Sequence, residues 1–150
     1  MTALSMPNKW GLVFHHLGLA VIDPQPAITF LAGLGYQIGP TVFDPLQNVN
    51  LGMCTHEQMP NVEIVYPTAG QGPLDKLLAT HKDGLVYHMC YVCNDLDKTL
   101  DAIESDGALR LFTVSAAKPA ILFGGNEVSF YVVAGVGLIE IIDQRSCRDA

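Results

Sequence analysis

Two histidines occupy equivalent positions of an internal repeat, and histidine is a residue that ligates metals and transfers protons near neutral pH. The segment at residues 16–23 (HLGLAVID) recurs at residues 88–95 (HMCYVCND). His16 therefore corresponds to His88 at an offset of 72 residues (16 to 88). A repeat of this kind predicts two related modules in the fold.

Each half of the chain also closes on a similar apolar segment that carries one glutamate. These segments are VEIV, which contains Glu63, and IEII, which contains Glu140. Pseudo-symmetry would bring equivalent positions of two modules together, and two carboxylates in or near a core are costly without a cation. Imidazole nitrogens and carboxylate oxygens suit Zn²⁺, Ni²⁺, Co²⁺, Mn²⁺ and Fe²⁺. We therefore predict one divalent ion of this group, ligated by His16, Glu63, His88 and Glu140.

A site with these four ligands would leave coordination positions open, so that it could polarise a substrate carbonyl as a Lewis acid. A glutamate that loosens from the metal can accept a proton, which makes Glu63 and Glu140 the candidate catalytic bases. Asp44 and Glu127 are alternative bases that no spacing favours.

Strands with two distinct faces are predicted to carry the four side chains. In residues 13–22, His16 shares a face with glycine and alanine, and larger apolar residues alternate on the other face. Asp23 and Asp95 are expected to cap the helices that follow the two histidine strands. Glu63 is expected to lie on the face opposite the apolar residues beside it.

The order of the predicted elements is β-α-β-β-β in both halves, which indicates an α+β fold. Further strands are predicted at residues 36–43, 48–55 and 61–66, and at residues 108–114, 127–134 and 137–142, with a loop at residues 115–125. We predict one domain over residues 1–150, in which module one spans 13–67 and module two spans 85–143.

Composition excludes some function classes. The net charge of −7 and the pI near 4.9 argue against nucleic-acid binding. No apolar segment has the length of a membrane span or the pattern of a signal peptide, so we expect a cytoplasmic protein. Cys90 and Cys93 form a CxxC pattern, but residues three apart on a strand face opposite sides. We expect both to be packed thiols, and His15, His56 and His81 to be structural.

Three segments resemble the vicinal oxygen chelate superfamily, which includes glyoxalase I, methylmalonyl-CoA epimerase, extradiol dioxygenases and the bleomycin and fosfomycin resistance proteins. They are residues 14–21 (FHHLGLAV), 86–95 (VYHMCYVCND) and 137–142 (GLIEII), and they are most similar to the epimerase. The resemblance spans residues 13–142. It implies two tandem β-α-β-β-β modules whose mixed sheet curls into a metal-holding cup. It places the metal ligands at the positions that the repeat identifies, and it implies a homodimer.

The resemblance favours an enzyme that moves a proton alpha to a carbonyl through a metal-stabilised enediolate. Such an enzyme would be an epimerase or isomerase, or a glyoxalase-type lyase, with a carbonyl compound or an acyl thioester as its small-molecule substrate. One alternative is a metal-free binding protein of the antibiotic-resistance type. The other is an Fe(II) extradiol-type dioxygenase, against which the second carboxylate argues, because that chemistry uses two histidines and one carboxylate.

Overall fold

The computed structural model describes residues 8–144 and confirms an α+β fold. Its elements are β1 (Val13–Ala20), α1 (Pro24–Gly33), β2 (Gln37–Ile38), β3 (Val42–Asp44), β4 (Val49–Thr55), β5 (Val62–Pro67), α2 (Asp75–Thr80), β6 (Leu85–Cys93), α3 (Leu96–Glu104), β7 (Leu111–Pro119), a 3₁₀ turn (Ile121–Phe123), β8 (Glu127–Val133) and β9 (Gly137–Asp143). None of the helices within residues 8–144 is long and apolar enough to cross a membrane.

The chain divides into two compact units whose boundaries fall inside β1 and β6. The contiguous unit is residues 16–87, and the composite unit combines residues 1–15 with residues 88–150. Modules one and two, at residues 13–67 and 85–143, stay a prediction.

In the contiguous unit the strands pair in the order β2-β4-β5-β1, and β3 also pairs with β4. β1 and β5 are parallel, whereas β4 and β5 are antiparallel. Helix α1 begins after Asp23, whose carboxylate accepts a hydrogen bond from the Gln25 amide, as predicted. The apolar side of this helix packs on Val62 and Ile64 of β5, so that the core occupies one face of these strands.

In the composite unit the strands pair in the order β6-β9-β8-β7. β6 and β9 are parallel, and the other two pairs are antiparallel. Residues 8–15 pack here: the Thr99 hydroxyl donates to the Trp10 carbonyl (2.8 Å), and Phe14 contacts Tyr91 edge-on. Asp95 caps α3 by accepting from the Lys98 amide, as predicted.

The two cysteines of the CxxC pattern lie in different apolar clusters. Cys93 packs in the cluster that includes Tyr131 and Ile141, whereas Cys90 packs with Val128 and Ile142. Both thiols are buried. The expectation of packed thiols on opposite faces is therefore confirmed.

The single strand predicted at residues 36–43 is wrong, because two short strands, β2 and β3, occupy this stretch. Between them the Gly39 amide donates to the Met53 carbonyl (2.9 Å), and a Cβ atom at Gly39 would collide with that carbonyl. Pro40 follows and has no amide hydrogen to continue the ladder. A glycine at a close approach and a proline therefore divide the strand.

The loop predicted at residues 115–125 is also wrong in its first part, because β7 continues to Pro119. Lys118 and Pro119 pair with Val128 and Glu127 of β8, beyond two irregularities in the register. Most residues of β7 are exposed, so its second half carries no apolar alternation that a sequence pattern could reveal.

Candidate metal centre

The contiguous unit holds His16 and Glu63 on one face of the parallel pair β1–β5. Gly18 lies opposite Glu63 in the register, and His16 shares the face of Gly18 because it is two residues earlier. The Nε2 atom of His16 lies 3.4 Å from Oε1 of Glu63. Both residues are buried, with 0% and 3% of their surface exposed. As predicted, Glu63 lies on the face opposite the core residues Val62 and Ile64.

The composite unit holds the second histidine and glutamate in the same way. Cys90 lies opposite Glu140 across the parallel pair β6–β9, and His88 is two residues before Cys90. The Nε2 atom of His88 lies 3.0 Å from Oε1 of Glu140. These residues are 3% and 2% exposed.

The register is therefore the same in both units although the chain between histidine and glutamate differs in length. This separation is 47 residues in the contiguous unit (16 to 63) and 52 residues in the composite unit (88 to 140). In both units the glutamate lies opposite the second residue after the histidine. The repeat thus preserves the position of the two side chains on the sheet and not the spacing in the sequence.

Each pair consists of groups that could hold a metal ion, namely one imidazole nitrogen and one carboxylate oxygen. A buried carboxylate is costly unless a positive charge or hydrogen-bond donors compensate it. A divalent cation would supply that compensation, and the donor atoms present fit a transition metal better than Ca²⁺, which prefers oxygen ligands alone.

A third strand places a different residue beside each glutamate. On β8, Phe130 lies opposite Glu140, and its ring contacts the ring of His88 edge-to-face, at 5.4 Å between centroids and 82° between planes. On β4, Met53 lies opposite Glu63. Sequence reasoning missed Phe130, since the register of the β8–β9 hairpin, and not any motif, brings it to this face.

Other titratable residues named from the sequence have structural contacts. His56 Nδ1 accepts from the Gln58 amide, so its Nε2–H donates to the Leu34 carbonyl (3.0 Å). The structural interpretation of His56 is therefore confirmed. Asp44 is buried, and its carboxylate accepts from the amides of Leu46 and Gln47 and from the Gln47 side chain. This set of contacts closes a turn.

Tyr131 is a buried hydroxyl close in sequence to the candidate centre, but it lies on the other face of β8. Its side chain belongs to the core cluster with Ile141, and its hydroxyl donates to Ser129 Oγ (2.9 Å). Burial raises the pKa of Tyr131, and the Ser129 hydrogen bond partly opposes that rise. Tyr131 is therefore a neutral core residue.

The fold is shared with solved structures of low sequence identity. The methylmalonyl-CoA epimerase from Mycobacterium tuberculosis superposes with a TM-score of 0.74 at 19% identity, over 94% of each chain. A hypothetical protein from Bacillus halodurans C-125 gives 0.73 at 18% identity, over 89% of this chain and 94% of that chain. The Streptomyces coelicolor methylmalonyl-CoA epimerase in complex with 2-nitronate-propionyl-CoA gives 0.64 at 21% identity, over 87% and 95%.

A comparison with functionally curated protein sequences finds no significant match. The family model described as "Glyoxalase/Bleomycin resistance protein/Dioxygenase superfamily" matches residues 15–130. This match covers well over half of the chain and includes three of the four predicted ligands. The chain belongs to the glyoxalase/bleomycin resistance protein/dioxygenase superfamily.

Proposed function

We propose that His16, Glu63, His88 and Glu140 together ligate one divalent metal ion, and that the protein is an enzyme that moves a proton alpha to a carbonyl. The observation that carries this proposal is the repetition of one buried histidine–glutamate pair at the same register in both units. Burial of a charged group is costly. A repeat with a purely structural role would therefore have no need for a buried glutamate beside a buried histidine in each unit.

The donor set fits the proposed ion in charge as well as in type. Two neutral imidazoles and two carboxylates carry two negative charges, which balance a divalent cation. When bound, such an ion polarises a substrate carbonyl and stabilises the negative charge that develops on its oxygen. Zn²⁺, Ni²⁺, Co²⁺, Mn²⁺ and Fe²⁺ are all compatible with this set.

The proton transfer itself is assigned to a carboxylate of the chain. Glu63 or Glu140 would accept the proton from the carbon beside the carbonyl, and return of the proton to that carbon or to a neighbouring atom would complete an epimerase, isomerase or glyoxalase-type lyase reaction. Asp44 is the weaker candidate, because its carboxylate already closes a turn.

Acyl-CoA thioesters are the substrate class to test first. The Streptomyces coelicolor epimerase is described in complex with 2-nitronate-propionyl-CoA, and another methylmalonyl-CoA epimerase structure of the same fold is described in complex with methylmalonyl-CoA. Glutathione thiohemiacetals are the second class, because they also present a carbon-bound proton beside an oxygen that a metal could bind.

Two other functions are less well supported. An extradiol-type dioxygenase would use one carboxylate, whereas Glu63 and Glu140 are both buried beside a histidine. A metal-free binding protein would have no use for these buried ionisable pairs.

The homodimer and the cytoplasmic location stay predictions. Light scattering on the purified protein would measure the mass of the assembly.

Metal content of the purified protein is the deciding measurement. Wild type should contain about one equivalent of a divalent transition metal, and His16→Ala and Glu140→Ala should each lose it. His81→Ala is the matched control, because His81 is an exposed histidine of the same unit as His16. Wild type that takes up no metal after reconstitution with zinc, nickel, cobalt, manganese or anaerobic ferrous iron would contradict the proposal.

Proton transfer is tested separately with the loaded protein. Incubation with methylmalonyl-CoA in D₂O should introduce deuterium at the carbon beside the thioester, as measured by mass spectrometry. Metal binding without deuterium exchange on methylmalonyl-CoA or on a glutathione thiohemiacetal would support the proposed metal site and would contradict both substrate classes.

A further inference from the structure

We propose that Phe130 is a positioning residue, which fixes the imidazole of His88 in the orientation that ligation requires. The inference rests on the proposed metal site and deepens it, because it identifies a non-ligand side chain that controls one of the ligands. The contact that supports it lies wholly within the composite unit.

Three neighbouring strands bring Phe130, Glu140 and His88 together. Phe130 on β8 lies opposite Glu140 on β9, and Glu140 lies opposite Cys90 on β6, two residues from His88. Residues that lie opposite each other in a sheet present their side chains to the same face. The aromatic ring, the carboxylate and the imidazole therefore share one face of this sheet.

The ring contact constrains the rotation of the imidazole. At 5.4 Å between centroids and 82° between planes, the two rings adopt the edge-to-face arrangement that aromatic pairs favour. Rotation about the Cβ–Cγ bond of His88 would destroy this arrangement. With the ring held, Nε2 stays directed at Oε1 of Glu140, 3.0 Å away. Neighbours that orient a ligating histidine commonly affect metal affinity as well as geometry.

The contiguous unit supplies an internal comparison. Met53 takes the position relative to Glu63 that Phe130 takes relative to Glu140. Methionine is unbranched and flexible, so it fills space without presenting a ring plane to a neighbour. The residue beside Glu63 is therefore not an aromatic ring, and a substitution at Met53 serves as a comparison for one at Phe130.

The proposal is tested by titrating Zn²⁺ and Co²⁺ into metal-free wild type and into three variants, Phe130→Leu, Phe130→Tyr and Met53→Leu. Phe130→Leu should raise the Kd for Zn²⁺ by roughly 3- to 10-fold, in line with the strength of an aromatic pair. It should also change the visible spectrum of the Co²⁺ form, because the ligand field depends on the orientation of His88. Phe130→Tyr keeps the ring, and Met53→Leu changes the shape of the side chain beside Glu63 at nearly constant volume. Both should stay within about twofold of wild type.

A measurement on metal-free wild type tests the contact without any substitution. Nuclear Overhauser effects should connect the ring protons of Phe130 and His88, and their absence would overturn the proposal even if Phe130→Leu failed to fold. Near-UV circular dichroism would establish the folding of each variant.

The outcomes separate this inference from the function on which it rests. Wild type that binds one metal while folded Phe130→Leu has the same Kd and the same Co²⁺ spectrum overturns the role of Phe130 alone. An equal loss of affinity in Met53→Leu also overturns it, because the effect would then follow from any change beside a glutamate. Wild type that binds no metal overturns both.

Discussion

His88 Nε2 lies 3.0 Å from Glu140 Oε1, and both side chains are almost fully buried. The pair owes this contact to parallel pairing between β6 and β9, which places Glu140 beside the second residue after the histidine. His16 and Glu63 meet under the same register at 3.4 Å. These two pairs are the basis of the proposed metal site, and the effect of a bound cation on stability can be measured.

Metal removal should lower the stability of the protein. A metal present at 100 times its Kd stabilises the folded state by about 2.7 kcal/mol, provided that it does not bind the unfolded chain. For a chain of this size that free energy corresponds to a Tm decrease of about 5–10 °C after chelation. Calorimetry before and after chelation, and again after metal is restored, would measure the effect. A Tm that is unchanged in all three samples would contradict it.

Glu63→Gln and Glu140→Gln should separate the base from the other carboxylate. Glutamine keeps the shape and an oxygen ligand, but it cannot accept a proton in the relevant pH range. In the variant that lacks the base, we expect kcat for proton exchange to fall by about 10²- to 10⁴-fold with metal still bound. Metal content and deuterium exchange should be measured on the same samples. Glu57→Gln, at an exposed glutamate, is the control. Activity equal to that of wild type in both Glu63→Gln and Glu140→Gln would exclude both glutamates as the base.

Alkaline pH should destabilise the protein in part through Cys54. Burial raises the pKa of this thiol above its ordinary value, and a backbone hydrogen bond from Gly39 partly opposes that rise. The unfolded chain then loses the thiol proton at a lower pH than the folded chain does. The stability that this group contributes is present below the unfolded pKa and is lost as pH rises through the folded pKa. Urea unfolding from pH 7.5 to 10 should show a shallower loss for Cys54→Ala than for wild type. Parallel curves would exclude the thiol as the cause.

The ion pair between Lys9 and Asp106 should contribute stability that is lost at acidic pH, in contrast to the contribution of Cys54. Lys9 Nζ lies 2.6 Å from Asp106 Oδ2, and this hydrogen bond lowers the pKa of Asp106 below its ordinary value, with help from the Ala108 amide. A lowered carboxyl pKa contributes stability above the unfolded pKa, and this contribution is lost as pH falls through the folded pKa. Carboxyl chemical shifts in an acid titration should therefore show a higher pKa for Asp106 in Lys9→Met. The same substitution at exposed Lys76 is the control, and an unchanged Asp106 titration in Lys9→Met would contradict the prediction.

The sequence predicted those residues of the candidate centre that alternate with core residues along a strand. His16 and Glu63 could be assigned to one face because the apolar residues beside them mark the other face. Phe130 could not be found in this way, because its place beside Glu140 depends on the register of a hairpin. The second half of β7 was missed for a related reason, since exposed residues on both of its faces leave no pattern. Pairing between strands was thus the information that a single sequence lacked.

The assignment of residues 8–15 to the composite unit has a consequence for synthesis of the chain. Trp10 and Lys9 contact residues 99 and 106, at sequence separations of 89 and 97 residues. During translation, residues 8–15 must therefore wait until α3 has left the ribosome, whereas residues 16–87 can assemble earlier. Contacts over such separations slow folding, because a long loop must close before they form. Truncation of residues 8–15 should therefore remove these contacts from the unit that is synthesised last, and a chain cut between residues 87 and 88 would leave that unit in two pieces.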